Sequence, residues 1–169
     1  IASGKLQALC YKADIEAALR TPGFAGFQLL QLHDFPGQGT ALVGILNPFF
    51  ENKGYITPEE FRFFCNETVP LVRIPKMIYS SNELIKADVE ISHFGPTPLY
   101  NIEVICRLLK SDGEAIDQKT FILDTIDFGN CLNAGNLIFD PAGIMKAQKL
   151  TLEVTLENTQ FRNKWDLWV

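Results

Sequence analysis

Apolar positions along the first twenty residues recur at helical spacing. Leu6, Leu9, Cys10, Ala13 and Ala17 form one stripe between Lys5 and Arg20, and neither Gly nor Pro interrupts it. Ala8, Ile15 and Leu19 lie off that stripe, so the predicted helix is apolar on much of its surface. Thr21-Pro22-Gly23 stops it. The pattern then changes. Phe24 to Leu32 is apolar at every position but Gln28 and Gln31, which reads as a strand covered on both faces, the texture of parallel sheets. The polar loop "HDFPGQG" follows, and then an irregular apolar segment from Thr40 to Phe50, broken by Gly44 and Pro48. A second helix is signalled by Thr57 as N-cap, Pro58 at the first helical position and Glu60 closing a capping box. Phe61, Phe64 and Cys65 give that helix an apolar face.

From Val69-Pro70 onward the rhythm is that of short strands separated by turns. Ile85, Ala87, Val89 and Ile91 alternate with polar residues. Ser111-Asp112-Gly113 marks a hairpin, and Leu150, Leu152, Val154 and Leu156 alternate with Thr151, Glu153, Thr155 and Glu157. Seven or eight such strands in about 100 residues predict an immunoglobulin-like sandwich, without the Cys-Trp-Cys spacing of antibody domains. The expected organisation is residues 1–68 as a β/α unit and 69–169 as the sandwich.

Charge and composition narrow the partners. The 169 residues carry a formal net charge of -5 and no Lys/Arg run, which argues against nucleic acid. No apolar run reaches the roughly 18 residues of a membrane span, and no signal peptide is visible. The absence of an initial Met and the aromatic, strand-like ending "NKWDLWV" suggest a piece of something longer. Cys10, Cys65, Cys106 and Cys131 are scattered, and only His33 and His93 could join them on a metal. Four buried free thiols are expected, with no metal and no cofactor. The sequon Asn66-Glu67-Thr68 carries little weight alone.

A strand apolar on both faces cannot satisfy its backbone groups alone, and the chain holds no second strand of that texture. The reading that follows is the last unit of a parallel (β/α)8 fold, with His33 and Asp34 at the strand's C-terminal end, where such barrels place their active sites. The whole is then α+β: an N-terminal helix-strand-helix remnant of a (β/α)8 barrel followed by an all-β immunoglobulin-like sandwich.

The stretch from Gln28 to Tyr55, with "LHDFPGQGTALVG" and "NKGY" in it, resembles the end of the catalytic barrel of bacterial glycoside hydrolases of the family-two, β-galactosidase-like clan. The rest of the chain is similar to that family in architecture alone. The resemblance implies hydrolysis of glycosidic bonds with retention, a carbohydrate substrate for the intact protein, and a periplasmic or extracellular location. Gln31, Asn47 and Phe50 depart from the family pattern and leave the sugar open. The two catalytic carboxylates of that family lie on earlier strands, outside this chain. Retaining hydrolysis needs two carboxyl groups about 5 Å apart, and Asp34 is the one acid expected at a strand end. The chain alone is therefore expected to turn over no glycoside.

His33 and Asp34 are the candidate substrate-binding residues, as hydrogen-bonding groups for sugar hydroxyls. The competing reading has Asp34 capping loop amides and His33 packing on Phe35. Gly37-Gln38-Gly39 is a tight turn rather than a phosphate cradle. Trp165 and Trp168, three apart on a strand, point to opposite faces, one into a sandwich core and the other covering the domain junction, with an aromatic platform for stacking sugars as the alternative. Phe49, Phe50, Phe61, Phe63 and Phe64 form an aromatic group whose exposed members predict a dimer through apolar surface. The rival to the hydrolase reading is a non-catalytic sandwich module that binds carbohydrate or protein.

Overall fold

The computed structural model describes residues 1–39 and 42–169. Thr40 and Ala41, which open the irregular apolar segment, lie outside the described residues. The chain separates into two compact units, Ile1–Cys65 and Asn66–Val169.

In the first unit, helix α1 spans Ala2–Leu19. Its buried residues are Ala8, Ile15, Glu16 and Leu19, whereas Leu6, Leu9, Cys10, Ala13 and Ala17 are exposed. The stripe singled out by periodicity is thus the outward one. A helix apolar nearly all round gives periodicity no face to choose. Glu16 is carried inside by two cations one turn away on either side, Lys12 and Arg20, the latter at 3.2 Å. Helix α2, Pro58–Arg62, is a single turn started by the capping box: the Glu60 amide donates to Thr57 Oγ1 (3.1 Å) and the Thr57 amide to Glu60 Oε2 (2.9 Å).

The expected α+β class and the helix-strand-helix barrel remnant do not hold. Residues 24–32 form no strand. Backbone pairing begins after them, at one parallel bridge between His33 and Leu46, made by Asp34 N–H to Leu46 O (2.9 Å) and Leu46 N–H to Leu32 O (3.0 Å). The physical reason is non-local. An apolar run becomes a strand only where neighbouring strands take up its N–H and C=O groups, and Gly26, at φ 150°, is conformationally free to leave extended geometry. The architecture is instead dominated by β-structure, with one long N-terminal helix.

The second unit contains all seven strands found among the described residues: β1 Thr68–Arg73, β2 Ile85–His93, β3 Leu99–Lys110, β4 Ala115–Ile126, β5 Gly129–Phe139, β6 Lys149–Leu156 and β7 Arg162–Trp168. They form two antiparallel sheets, ordered β1-β2-β5 and β4-β3-β6-β7. That order, with strands crossing between sheets, gives a sandwich of two antiparallel sheets. Alternation sets the register. In β6, Leu150, Leu152, Val154 and Leu156 are fully buried, and in β7 Asn163, Trp165 and Leu167 face inward. They meet Val72, Ile85, Val89, Ile91, Val104, Cys106, Leu108 and Phe139 in one core. The β3–β4 hairpin turns at Gly113 (φ 88°), whose N–H donates to Lys110 O (3.0 Å). Asn163, the buried polar residue of β7, donates through Nδ2 to the Pro70 carbonyl of β1 (3.0 Å), tying one sheet to the other.

Candidate functional site

His33 and Asp34 lie at the bridge to Leu46. Asp34 is buried. Its Oδ1 accepts from the Gly44 amide (2.9 Å) and from Lys53 Nζ (2.7 Å). Lys53 donates in addition to the Gly44 carbonyl (2.8 Å), so one residue's backbone is gripped from both sides by a part-buried ion pair. The hydrogen bond from Lys53 is the main cause that holds the Asp34 carboxyl below its ordinary range. The Gly44 amide adds to it, and desolvation opposes it.

Gly44 cannot be another residue here. A Cβ would stand 2.1 Å from the carbonyl carbon of His33. Tyr55 completes the grip: its hydroxyl lies 3.0 Å from both the Gly44 carbonyl and Gln7 Oε1, and it serves one acceptor at a time with its single proton. Burial pushes the Tyr55 phenol up. Helix α1 is fastened to the same segment. Tyr11 OH donates to the Val43 carbonyl (2.8 Å), and Gln7 Nε2 donates to the same oxygen. Gly4 gives the Tyr55 ring its place, since a Cβ there would lie 2.4 Å from that ring.

The structure therefore brings Asp34 together with Gly44, Lys53, Tyr55 and Gln7. Lys53 and Tyr55 went without a role in the sequence reading. The available signal was Lys53 itself, the first cation after an unbroken stretch without Lys or Arg from residue 21. His33 is half-buried and stacks on Phe50, ring centroids 4.4 Å apart and planes 27° from parallel. Chemically, Asp34 is an ionised carboxylate already engaged by a cation and an amide, which suits a structural anchor and not a proton donor.

The other candidates are placed as follows. Gly37–Gly39 lie in a turn closed by Gln38 N–H to Phe35 O (3.3 Å). Cys106 alone of the four cysteines is buried, its thiol pushed up to about 12 by desolvation. Cys10 is exposed, and Cys65 and Cys131 are half-buried. The expectation of four buried thiols fails because Cys10 sits on the outward stripe of α1. His93 accepts from Thr68 Oγ1 at Nδ1 (2.8 Å) and donates from Nε2 to the Thr97 carbonyl (3.0 Å), so both ring nitrogens are used. Among the described residues no three His, Cys, Asp or Glu side chains gather as a metal site. Trp165 is in the core and Trp168 is 45% exposed. Phe61 and Phe64 pack edge to face at 4.9 Å, whereas Phe49 and Phe50 are exposed. No helix among the described residues is long and apolar enough to cross a membrane.

The family profile that matches the chain lies within the sandwich unit. No curated protein matches the chain. Among solved structures, a domain of a protein named as a cell surface protein from Methanosarcina acetivorans is similar at 20% identity over 61% of this chain and 89% of that one, with a TM-score of 0.41. A conjugative transposon lipoprotein from Bacteroides eggerthii is similar at 12% identity over 60% and 96%, with a TM-score of 0.37. The β-glucuronidase of Parabacteroides merdae is similar at 13% identity over 60% of this chain and only 13% of that one, also at 0.37. Likeness at this level carries no functional argument. One family profile, described as a domain of unknown function (DUF8488), matches residues 83–169. That match runs from just before β2 to the end of β7 and takes in just over half of the chain, which therefore belongs to the DUF8488 family.

Proposed function

We propose that the chain is a non-catalytic sandwich module that binds another protein, and that the binding surface is formed by the exposed apolar residues of 24–39 and 42–50. One observation carries this reading. Between Arg20 and Glu51 the single charged residue is Asp34, which is buried against Lys53. The same stretch exposes Phe24, Phe27, Leu30, Leu32, Phe35, Leu42, Val43, Phe49 and Phe50. A surface with much apolar area and no exposed charge is the composition of an interface core. Sugars are held by hydrogen-bonding groups around an aromatic platform, and this face offers few of the former.

A second reading is supported by the interlocking of Asp34, Gly44, Lys53 and Tyr55. These four residues all fall within the stretch that resembles family-two glycoside hydrolases. In it the module is an accessory part of such an enzyme, and the protein bound is the catalytic part. His33 is then the residue that meets a sugar hydroxyl, and Asp34 supports it.

A photo-crosslinking amino acid at position 49, compared with one at Ile122 on the sandwich, tests the proposal in the producing cell. Adducts with a polypeptide at position 49 and none at position 122 are expected. No polypeptide adduct at position 49, together with glycan binding that is lost on Trp168→Ala, overturns it in favour of carbohydrate recognition.

A further inference from the structure

We infer that the occupant of the apolar face is a second copy of this chain, so that Ile1–Cys65 is the dimerising unit. The inference rests on the protein-binding reading above and names the partner.

Two features of the face argue for a copy. The first is charge. The molecule carries a net -5, and two copies repel wherever their acidic surfaces meet. The stretch from Thr21 to Phe50 is the longest run of the chain without an exposed charge, because its one acid is buried against Lys53. Apposing two such faces desolvates no unpaired ion and keeps the acids of the two molecules apart. A face with no charge is complementary to itself.

The second feature is area. Leu30 and Phe49 are 79% and 81% exposed, and seven further large apolar side chains of the stretch are exposed by two-fifths or more. Taking about 200 Å² for each such side chain when fully exposed, these nine residues together leave on the order of 1,000 Å² uncovered. A stable pair buries about 800 Å² per partner, which their combined surface is enough to supply. The His33–Leu46 bridge and the Asp34–Lys53 pair fix the backbone beside Leu32, Phe35 and Val43 before a partner arrives. That lowers the ordering cost of association.

Sedimentation equilibrium of the full chain tests the inference. The wild type is expected at twice the monomer mass at micromolar concentration. A Leu30→Glu/Phe49→Glu double variant, altered at two of the most exposed positions of the stretch, is expected to associate about a hundredfold more weakly with an unchanged circular dichroism spectrum. Met145→Glu, an 89% exposed site in the other unit, is the control and should leave the dimer intact. A second measurement needs no variant. An interface free of charge should keep its dissociation constant, or tighten it, between about 0.05 and about 0.5 M NaCl. A wild type that stays monomeric at about 100 μM overturns the inference. So does a dimer that survives the double variant, that is lost in Met145→Glu, or that weakens with salt. A monomer that still crosslinks from position 49 to a different polypeptide defeats the second-copy inference alone and leaves the protein-binding function standing.

Discussion

Asp34 shows how one side chain can look like a site and act as an anchor. Its position before Phe35-Pro36-Gly37 suggested a polar group on a pocket rim. Its contacts with the Gly44 amide and Lys53 make it the point where two chain passes are fastened. Nothing local could have announced this, because Lys53 is 19 residues away. Two predictions belong here. The Asp34 carboxyl titrates lower in the folded chain than in the unfolded one. Its contribution is therefore complete above the ordinary carboxylate value of 3.8 and fades as pH falls through the lowered folded value. Exchange of the Gly44 amide proton, corrected for its intrinsic pH dependence, should accelerate over that acid interval in the wild type. In Asp34→Asn it should be fast already at neutral pH, and Lys53→Met should recover part of the loss by removing the stranded cation. Gly44→Ala should lower stability by about 3 kcal/mol in denaturant titration, because the obstacle at 2.1 Å is backbone and cannot swing aside.

At the scale of elements, legibility followed the range of the interactions. The capping box of α2 was readable because Thr57 and Glu60 meet within one turn. Strand β6 was readable because Leu150, Leu152, Val154 and Leu156 alternate with polar residues that stay on the wet face. The run from Phe24 to Leu32 misled because a strand is defined by its neighbours, and its apolar residues alone do not supply them. Helix α1 was placed correctly along the chain, but the side it buries was not, since Ile15 and Leu19 compete with Leu6 and Leu9 on equal terms. Leu152→Ala in the fully buried row of β6 should cost about 2–5 kcal/mol in denaturant unfolding. The same change at Leu6, on the outward face of α1, should be nearly silent. Asn163→Leu removes the donor to the Pro70 carbonyl and should cost about 1–3 kcal/mol, mostly from leaving that buried oxygen unpaired.

At the scale of the whole molecule, the two units divide the chemistry. Asn66–Val169 builds a large apolar core between its sheets, leaves single apolar residues such as Ile122 and Met145 exposed, and keeps ion pairs outside, such as Arg107 with Glu153 (3.6 Å) and Lys149 with Asp166 (3.2 Å). Ile1–Cys65 buries few large apolar residues and exposes many, chiefly on the one stretch that carries no exposed charge. Function was least legible from sequence at this scale. Asp34, which suggested sugar chemistry, helps hold the loop region together, and the residues proposed to meet a partner are apolar ones first read as strand core or irregular segment. Hydroxyl-radical footprinting addresses that claim directly. It compares labelling of Phe24, Phe27, Phe49 and Phe50 in the cell with labelling of the dilute purified chain, and uses Met145 as the internal reference. The account predicts that the four phenylalanines are protected in the cell while Met145 is labelled equally in both. Labelling of the phenylalanines that matches the dilute chain would mean the face meets no protein, and would contradict the account.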